Sequence, residues 1–322
     1  VLSSAQVKIR IFTNQAPGSA VFSVNSGVYE LNTYTGNRWI IKSGTLVAIS
    51  KFNERLVIKV MNDNAVICDS ALIEGKTGKD LFSLRISGKN IVRQNYSGDL
   101  KCMPDLGTLL FVNICDIESY IAGVVRSEGG AGKFPEYVKT QAVIARTYMY
   151  RYMEKHAADH YNLCDDTHCQ VFNGLTGDTL IINAANKTKD EIITGPDTLP
   201  IISAFHSNCG GETAPSEDVW LTSEPYLRKV TDPHCIDSRN AVWRITMSTA
   251  EWIGYLEKSG YTGNASSLNF SQNTRSTFYK AGDFSLPLRQ IRNDFNLRST
   301  FFSVSVDGDS IVLNGRGYGH GV

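Results

Sequence analysis

A chain of 322 residues with 42% hydrophobic and 20% charged side chains has the make-up of a folded globular protein, with material for one large core or two modest ones. Lys plus Arg equals Asp plus Glu at 32 each, so net charge gives no support for a nucleic-acid binder, although a local basic patch stays compatible. No apolar run approaches the ~20 residues needed to cross a bilayer.

No leader peptide is visible at Val1, and Gly319-His320-Gly321-Val322 breaks off inside a motif, so the expectation is a chain trimmed at one or both ends. The first third reads as β. Residues 7–12, 56–60 and 81–86 alternate apolar and polar, with Gly, Asn and Asp between the runs. Residues 109–114 are continuously apolar, which predicts a strand buried on both faces.

A helical pair follows. Ile117, Ile121, Val124 and Glu128 share one face of the first helix, and Gly129-Gly130 ends it. The second starts near Pro135 and carries Val138, Ala142, Ala145, Met149 and Tyr152 to about His156; its few polar residues predict a largely buried helix. Further on, residues 199–205 read as a strand, 249–259 and 288–295 as short helices, and 302–306 with 311–313 as a hairpin around Asp307-Gly308-Asp309. The expected class is α+β: a β-rich region over 1–95, then a region over 96–322 with the buried helical pair and a mixed α/β end, the two being compatible with one continuous globule.

Five segments can carry chemistry. Glu128 is a carboxylate on a face that should be buried, where desolvation raises its pKa and favours a general acid; a helix-end Glu swinging into solvent is the plainer alternative. Arg146 on the second helix either orients a carboxylate or forms a structural ion pair. The segment 160–170 places His160, Cys164, His168 and Cys169 close together, as a metal site, as a Cys164–Cys169 disulfide or as free thiols. His206 and Cys209 lie in a Gly-rich loop, where Cys209 also has Cys235 as a possible neighbour. Gly315 to Gly321 alternates glycines after a strand.

In order along the chain these segments resemble one family, that of stage II sporulation protein D and the amidase enhancers. Residues 120–128 resemble its "YLxGVVxxE" stretch, 141–148 its "QAVAARTY" helix, 164–170 its "C…HCQ" segment and 205–213 its "HSxxGGxT" loop. Residues 225–233 resemble "PYLxxVxDP", and 315–322 the start of "GxGxGHGVGMSQ". The resemblance covers roughly 96–322.

It implies a peptidoglycan lytic transglycosylase with Glu128 as general acid and base, cutting the MurNAc–GlcNAc bond to leave 1,6-anhydro ends. It implies Gln141, Arg146, His206, Ser207, Tyr226, Gly317 and His320 in or beside the substrate cleft. It points to a structural zinc on His160, Cys164 and Cys169, with His168 as the competing ligand. The implied partners are glycan strands and a cell-wall amidase, and the implied place is outside the cytoplasmic membrane. Non-catalytic enhancement of an amidase is the main rival. A zinc hydrolase is disfavoured by ligands packed closely enough to close the site, and a Cys209/His206 protease has no further signature.

Overall fold

The computed structural model describes residues 6–322 apart from 89, 133 and 239. The chain forms two compact units, the first ending at Ser203 and the second spanning Ala204–Val322. Among the described residues there are eighteen strands and six α-helices, an α+β fold with its strands concentrated early.

The first unit opens with β1 (Gln6–Ile11), β2 (Ser19–Ser26), β3 (Tyr29–Asn32), β4 (Arg38–Ile41), β5 (Leu46–Phe52) and β6 (Arg55–Val60). It continues with β7 (Val66–Cys68), β8 (Ala71–Gly75), β9 (Leu81–Ser87), β10 (Val92–Ser97), β11 (Asp99–Asp105) and β12 (Thr108–Asp116). Then come α1 (Ile117–Gly129), α2 (Pro135–Arg151), β13 (Leu163–Cys164) and α3 (Thr179–Lys187). One sheet runs β13-β1-β12-β11-β8-β3-β4 and the other β10-β9-β2-β5-β6-β7. Strands from both sides of residue 95 therefore share a sheet, as in β1 with β12 and β8 with β11.

Alternation explains the layers. In β1 only Val7, Ile9 and Ile11 are buried, whereas β12 is buried continuously from Leu109 to Asn113, as its apolar run predicts. The two sheets share one core. Rings cross it in sequence: Tyr29 packs on Phe82 at 5.8 Å, Phe82 on Tyr96 at 5.5 Å, Tyr96 on Phe172 at 6.0 Å, and Phe172 on Tyr120 of α1 at 5.1 Å. Such pairs each add about 0.5–1.5 kcal/mol beyond burial, and this row anchors α1 to the sheets.

α1 starts on Asp116, whose carboxylate accepts from Ser119 N–H at 3.1 Å, and stops at Gly130, φ 77°. α2 ends at Arg151, earlier than its apolar pattern predicts, and residues 152–156 continue as turns. It is also less buried than expected: Phe134 just before it and Tyr137 in its first turn face solvent, and burial is concentrated on Val138, Ala142, Ala145 to Thr147 and Met149. The strand expected over 199–205 is replaced by an isolated bridge between Thr194 and Pro200. Pro200 has no N–H to extend a ladder. Arg151 holds its carbonyl at 2.5 Å, and Ser203 Oγ donates to Ile144 O at 2.9 Å, so side chains anchor this segment.

The second unit contains α4 (Ser216–Trp220), β14 (Val242–Ser248), α5 (Thr249–Glu257), β15 (Phe278–Ala281), β16 (Phe284–Pro287), α6 (Leu288–Asp294), β17 (Phe302–Asp307) and β18 (Ser310–Arg316). β14-β18-β17 form a sheet over a core that includes Trp243, Trp252, Tyr279 and Ile291. The expected hairpin turns at Gly308, φ 58°, and Ser248 caps α5.

Candidate active site and metal centre

Glu128 stands in the last turn of α1, and the segment after Cys169 runs along that turn. Val171 N–H donates to Glu128 Oε1 at 2.8 Å, and Asn173 N–H to Ser127 Oγ at 3.0 Å. Between them Phe172 fills a notch at Gly123, where a β-carbon would come within 2.4 Å of its ring. The glycine in the helix is thus needed for the loop to approach. Gln170 lies beneath, accepting from Tyr120 OH at 3.2 Å and donating to Ala145 O at 3.4 Å.

Burial among apolar groups pushes the Glu128 carboxyl up to about 7, against the opposing pull of the Val171 N–H. Because that N–H already faces Oε1, the proton of the neutral acid belongs on Oε2. A carboxyl balanced near neutrality can both give and accept a proton. Tyr137 OH lies against Gly129, 3.2 Å from the position of an added β-carbon, so an exposed aromatic ring neighbours the Glu128 turn.

Arg146 has no exposed surface. Its guanidinium forks onto both carboxylate oxygens of Glu118, and it also donates to Ala185 O at 3.0 Å and Glu191 O at 3.2 Å. Of its two sequence readings, the structural ion pair describes it; enclosed in this way, it braces α1, α2 and α3 and cannot meet a ligand. Gln141 is half-buried on the same helix.

The sulfur and ring-nitrogen atoms of His156, Cys164, His168 and Cys169 lie within 4.8 Å of one another. Cys169 Sγ is 3.4 Å from His156 Nε2 and 3.8 Å from His168 Nδ1, and Cys164 Sγ is 3.7 Å from His168 Nδ1. Tetrahedral zinc with bonds of about 2.0–2.3 Å spaces its ligands by about 3.3–3.8 Å, so the four donors fit with little movement. His156 replaces His160 in the set. His160 is exposed in the left-handed region, φ 65°, closing a 3-10 turn over Ala157–Asp159. That turn carries it away, whereas His156 stacks on Tyr161 at 4.7 Å with Nδ1 3.5 Å from Asp159. A carboxylate behind a histidine is a common second layer of metal sites.

Parallel pairing of Cys164 with Arg10 and the Asp165 carboxylate, which accepts from Thr13 N–H at 3.1 Å, hold the cysteine loop. The Cys169 thiol donating to Cys164 holds the Cys164 thiol below its usual range, so one thiolate is readily available.

In the second unit two glycine-rich segments cross. Asn208 and Tyr318 exchange backbone bonds of 3.0 and 2.8 Å. A β-carbon on Gly317, φ 83°, would meet Asn208 O at 2.7 Å, so Gly317 serves close approach. His206 Nδ1 donates to Val322 O at 2.9 Å; His320 Nε2 donates to Phe205 O at 2.8 Å, and its Nδ1 accepts from Val322 N–H at 3.0 Å. Both nitrogens of His320 are thereby used in its neutral form, and burial holds it down to about 4. The rings of Trp220 and His320 lie 5.2 Å apart. Ser207 and Tyr226 are exposed. Arg275, unnoticed in the sequence, braces the crossing through Cys209 O at 2.7 Å and Glu212 O at 2.6 Å.

Comparison with known proteins places these motifs. Residues 106–194, from β12 through α3, match the sequence model of the stage II sporulation protein family. Stage II sporulation protein D of Bacillus subtilis (strain 168) is 30% identical over 226 residues, 64% of this chain and 65% of that protein. An uncharacterized protein of Brachyspira hyodysenteriae (strain ATCC 49526 / WA1) is 27% identical over 98% of this chain and 84% of its own length. The amidase enhancer of Bacillus subtilis is 23% identical over 63% of this chain and 36% of its own. The chain thus spans a little under two thirds of the sporulation protein it matches. Helix α1 with its Glu128 turn, α2 and the Cys/His loop all fall inside the segment that matches the stage II sporulation protein family.

Proposed function

We propose that the protein is a peptidoglycan lytic transglycosylase acting outside the cytoplasmic membrane, with Glu128 as its single acid–base group. The observation that carries this reading is a carboxyl raised to about 7 by burial, with an N–H on one oxygen. Glu118, at the other end of the same helix, is committed to Arg146 and so does not serve as a second catalytic carboxylate.

One carboxyl suffices for this reaction. Neutral Glu128 protonates the oxygen linking MurNAc to GlcNAc as the C1–O bond breaks. The resulting carboxylate takes the proton from the muramoyl C6 hydroxyl as that oxygen bonds to C1, and a 1,6-anhydro end is left. Water is not the nucleophile, unlike in two-carboxylate glycosidases. Within the first unit, Tyr137 beside the Glu128 turn and Gln141 are assigned to strand binding; His206, Ser207, Tyr226 and His320 are assigned to strand binding within the second unit, as the family resemblance implies.

His156, Cys164, His168 and Cys169 are assigned to zinc. Four protein donors close a tetrahedral site, so the ion would be structural. Its part is to hold the loop that delivers Gln170 and Val171. The convergence of two imidazoles with the two thiols favours metal over a disulfide here.

The similarity to an amidase enhancer supports a second reading, in which strands are bound without turnover and an amidase is the partner. Mass spectrometry of strands incubated with protein alone, and with protein plus a cell-wall amidase, separates the two: anhydro ends without amidase support the lyase, and faster peptide release with no anhydro ends supports the enhancer.

A further inference from the structure

Cys209, Asp232 and Cys235 form a second group of metal-ligating atoms, wholly within the second unit. Their two sulfurs and one carboxylate oxygen lie within 4.8 Å of one another. Cys209 is buried, while Asp232 and Cys235 are half-buried, so the group opens towards solvent. Asp232 Oδ2 accepts from the Cys209 thiol at 3.2 Å, and the Cys235 thiol also donates to this carboxylate. Both sulfurs are thus within hydrogen-bond reach of the third ligand.

The segments that carry these groups are fixed before any ion enters. Gly210 and Gly211, φ 75° and 103°, fold the chain back so that the Gly211 N–H faces the Cys209 sulfur. Asp232 N–H donates to Gly211 O at 2.9 Å, Glu212 pairs with Thr231, and Asn208 Nδ2 donates to Cys235 O at 2.7 Å. Asp232 Oδ1 is occupied by His234 N–H at 3.0 Å, which leaves Oδ2 facing the sulfurs. Both cysteines are free, and the ~3.8 Å between sulfurs that tetrahedral zinc needs falls inside the 4.8 Å that encloses the three donors.

We infer that Cys209, Asp232 and Cys235 bind a second divalent zinc-class cation, with the solvent side supplying the remaining coordination position. Binding releases both thiol protons and clamps the loop after His206 to the segment 232–235. The inference does not depend on transglycosylase activity or on metal at the Cys164 cluster.

The test is zinc content by elemental analysis of reduced protein exchanged into zinc-containing buffer and desalted, with near-ultraviolet circular dichroism to confirm folding. Wild type should hold about two equivalents, and Cys164→Ser/Cys169→Ser about one. Asp232→Asn and Cys235→Ser should each lose about one equivalent relative to their parent. Iodoacetamide labelling of Cys235 in wild type should slow at least ~10-fold with zinc present. If only the Cys164 cluster failed to bind, wild type would hold about one equivalent, and Cys235→Ser would still remove it, which supports the inference. Equal zinc content in wild type, Asp232→Asn and Cys235→Ser overturns it. So does zinc-independent labelling of Cys235, or a Cys209–Cys235 disulfide persisting in the reduced preparation.

Discussion

The backbone N–H of Val171 donates to the Glu128 carboxylate two residues after Cys169 supplies its sulfur to the Cys/His cluster. The cluster and the candidate acid are thus joined by one short segment, Cys169-Gln170-Val171. Whatever orders the cluster orders the carboxylate.

Removing the ion should therefore act through position. His156→Ala and Cys169→Ser should lose zinc, and lower Tm by roughly 5–10 °C, given about 2–4 °C per kcal/mol in a unit of this size. His160→Ala should change neither zinc content nor Tm. Elemental analysis with scanning fluorimetry checks this, and zinc loss in His160→Ala would return that residue to the ligand set.

The raised carboxyl makes a stability prediction with a definite sign. Glu128 has a folded pKa of about 7 against an ordinary 4.5, so between these values the native state binds more protons than the unfolded one. Its contribution is fully present below about pH 4.5 and is lost as pH rises through about 7. Glu128→Gln, neutral throughout, should match wild type near pH 4 and exceed it above pH 7 by on the order of 2 kcal/mol, discounted for partial solvent access. Urea melts at several pH values measure the difference, and a pH-independent difference contradicts the shift. Wild-type kcat/KM should fall as pH rises through about 7, because the first step needs the protonated acid.

Arg146 yields a prediction about folding. Breaking a buried ion pair leaves an uncompensated charge, so Arg146→Met should cost about 3–5 kcal/mol. Arg146→Met/Glu118→Leu, which removes both charges, should recover part of the loss. Folded Arg146→Met with wild-type stability and raised KM would instead mark a substrate contact.

Tyr137 is the exposed ring beside the Glu128 turn. Tyr137→Ala should weaken retention of glycan strands in a pull-down and leave Tm within about 1 °C, as surface substitutions usually do. Tyr137→Phe should retain binding, because stacking uses the ring. Loss of binding in both would assign the contact to the hydroxyl.

What could be read from the sequence was what short periods encode. Strands β1, β6, β9 and β12, helix α1 with its glycine stop, and the last hairpin follow from alternation, helical spacing and turn chemistry. Glu128 stood out because a carboxylate at i+4 from Val124 shares the face expected to be buried, and the structure leaves it half-buried. Ligand choice was different: His160 lies four residues before Cys164 and His156 eight, so proximity in sequence favours His160, and the left-handed turn at His160 instead leaves His156 with the thiols. Arg146 had two readings until Glu118, 28 residues earlier, came to face it. Tyr137 is hidden in the sequence because the apolar content of α2 predicts burial, whereas Phe134 and Tyr137 at its start face solvent. Residues 199–205 looked like a strand because apolar content was visible, whereas the anchoring from Arg151 and to Ile144 was not.

The central claim is that Glu128 performs both proton transfers of a transglycosylase. Its most direct measurement is mass spectrometry of products from peptide-free and peptide-bearing glycan strands, treated in parallel with wild type and Glu128→Gln. Wild type should generate 1,6-anhydro-muramoyl ends, and Glu128→Gln should reduce their rate by about 10²–10⁴-fold or more while retaining fold and strand binding. Wild-type turnover in Glu128→Gln would contradict the account, as would wild-type protein that binds both kinds of strand and yields only uncut glycan.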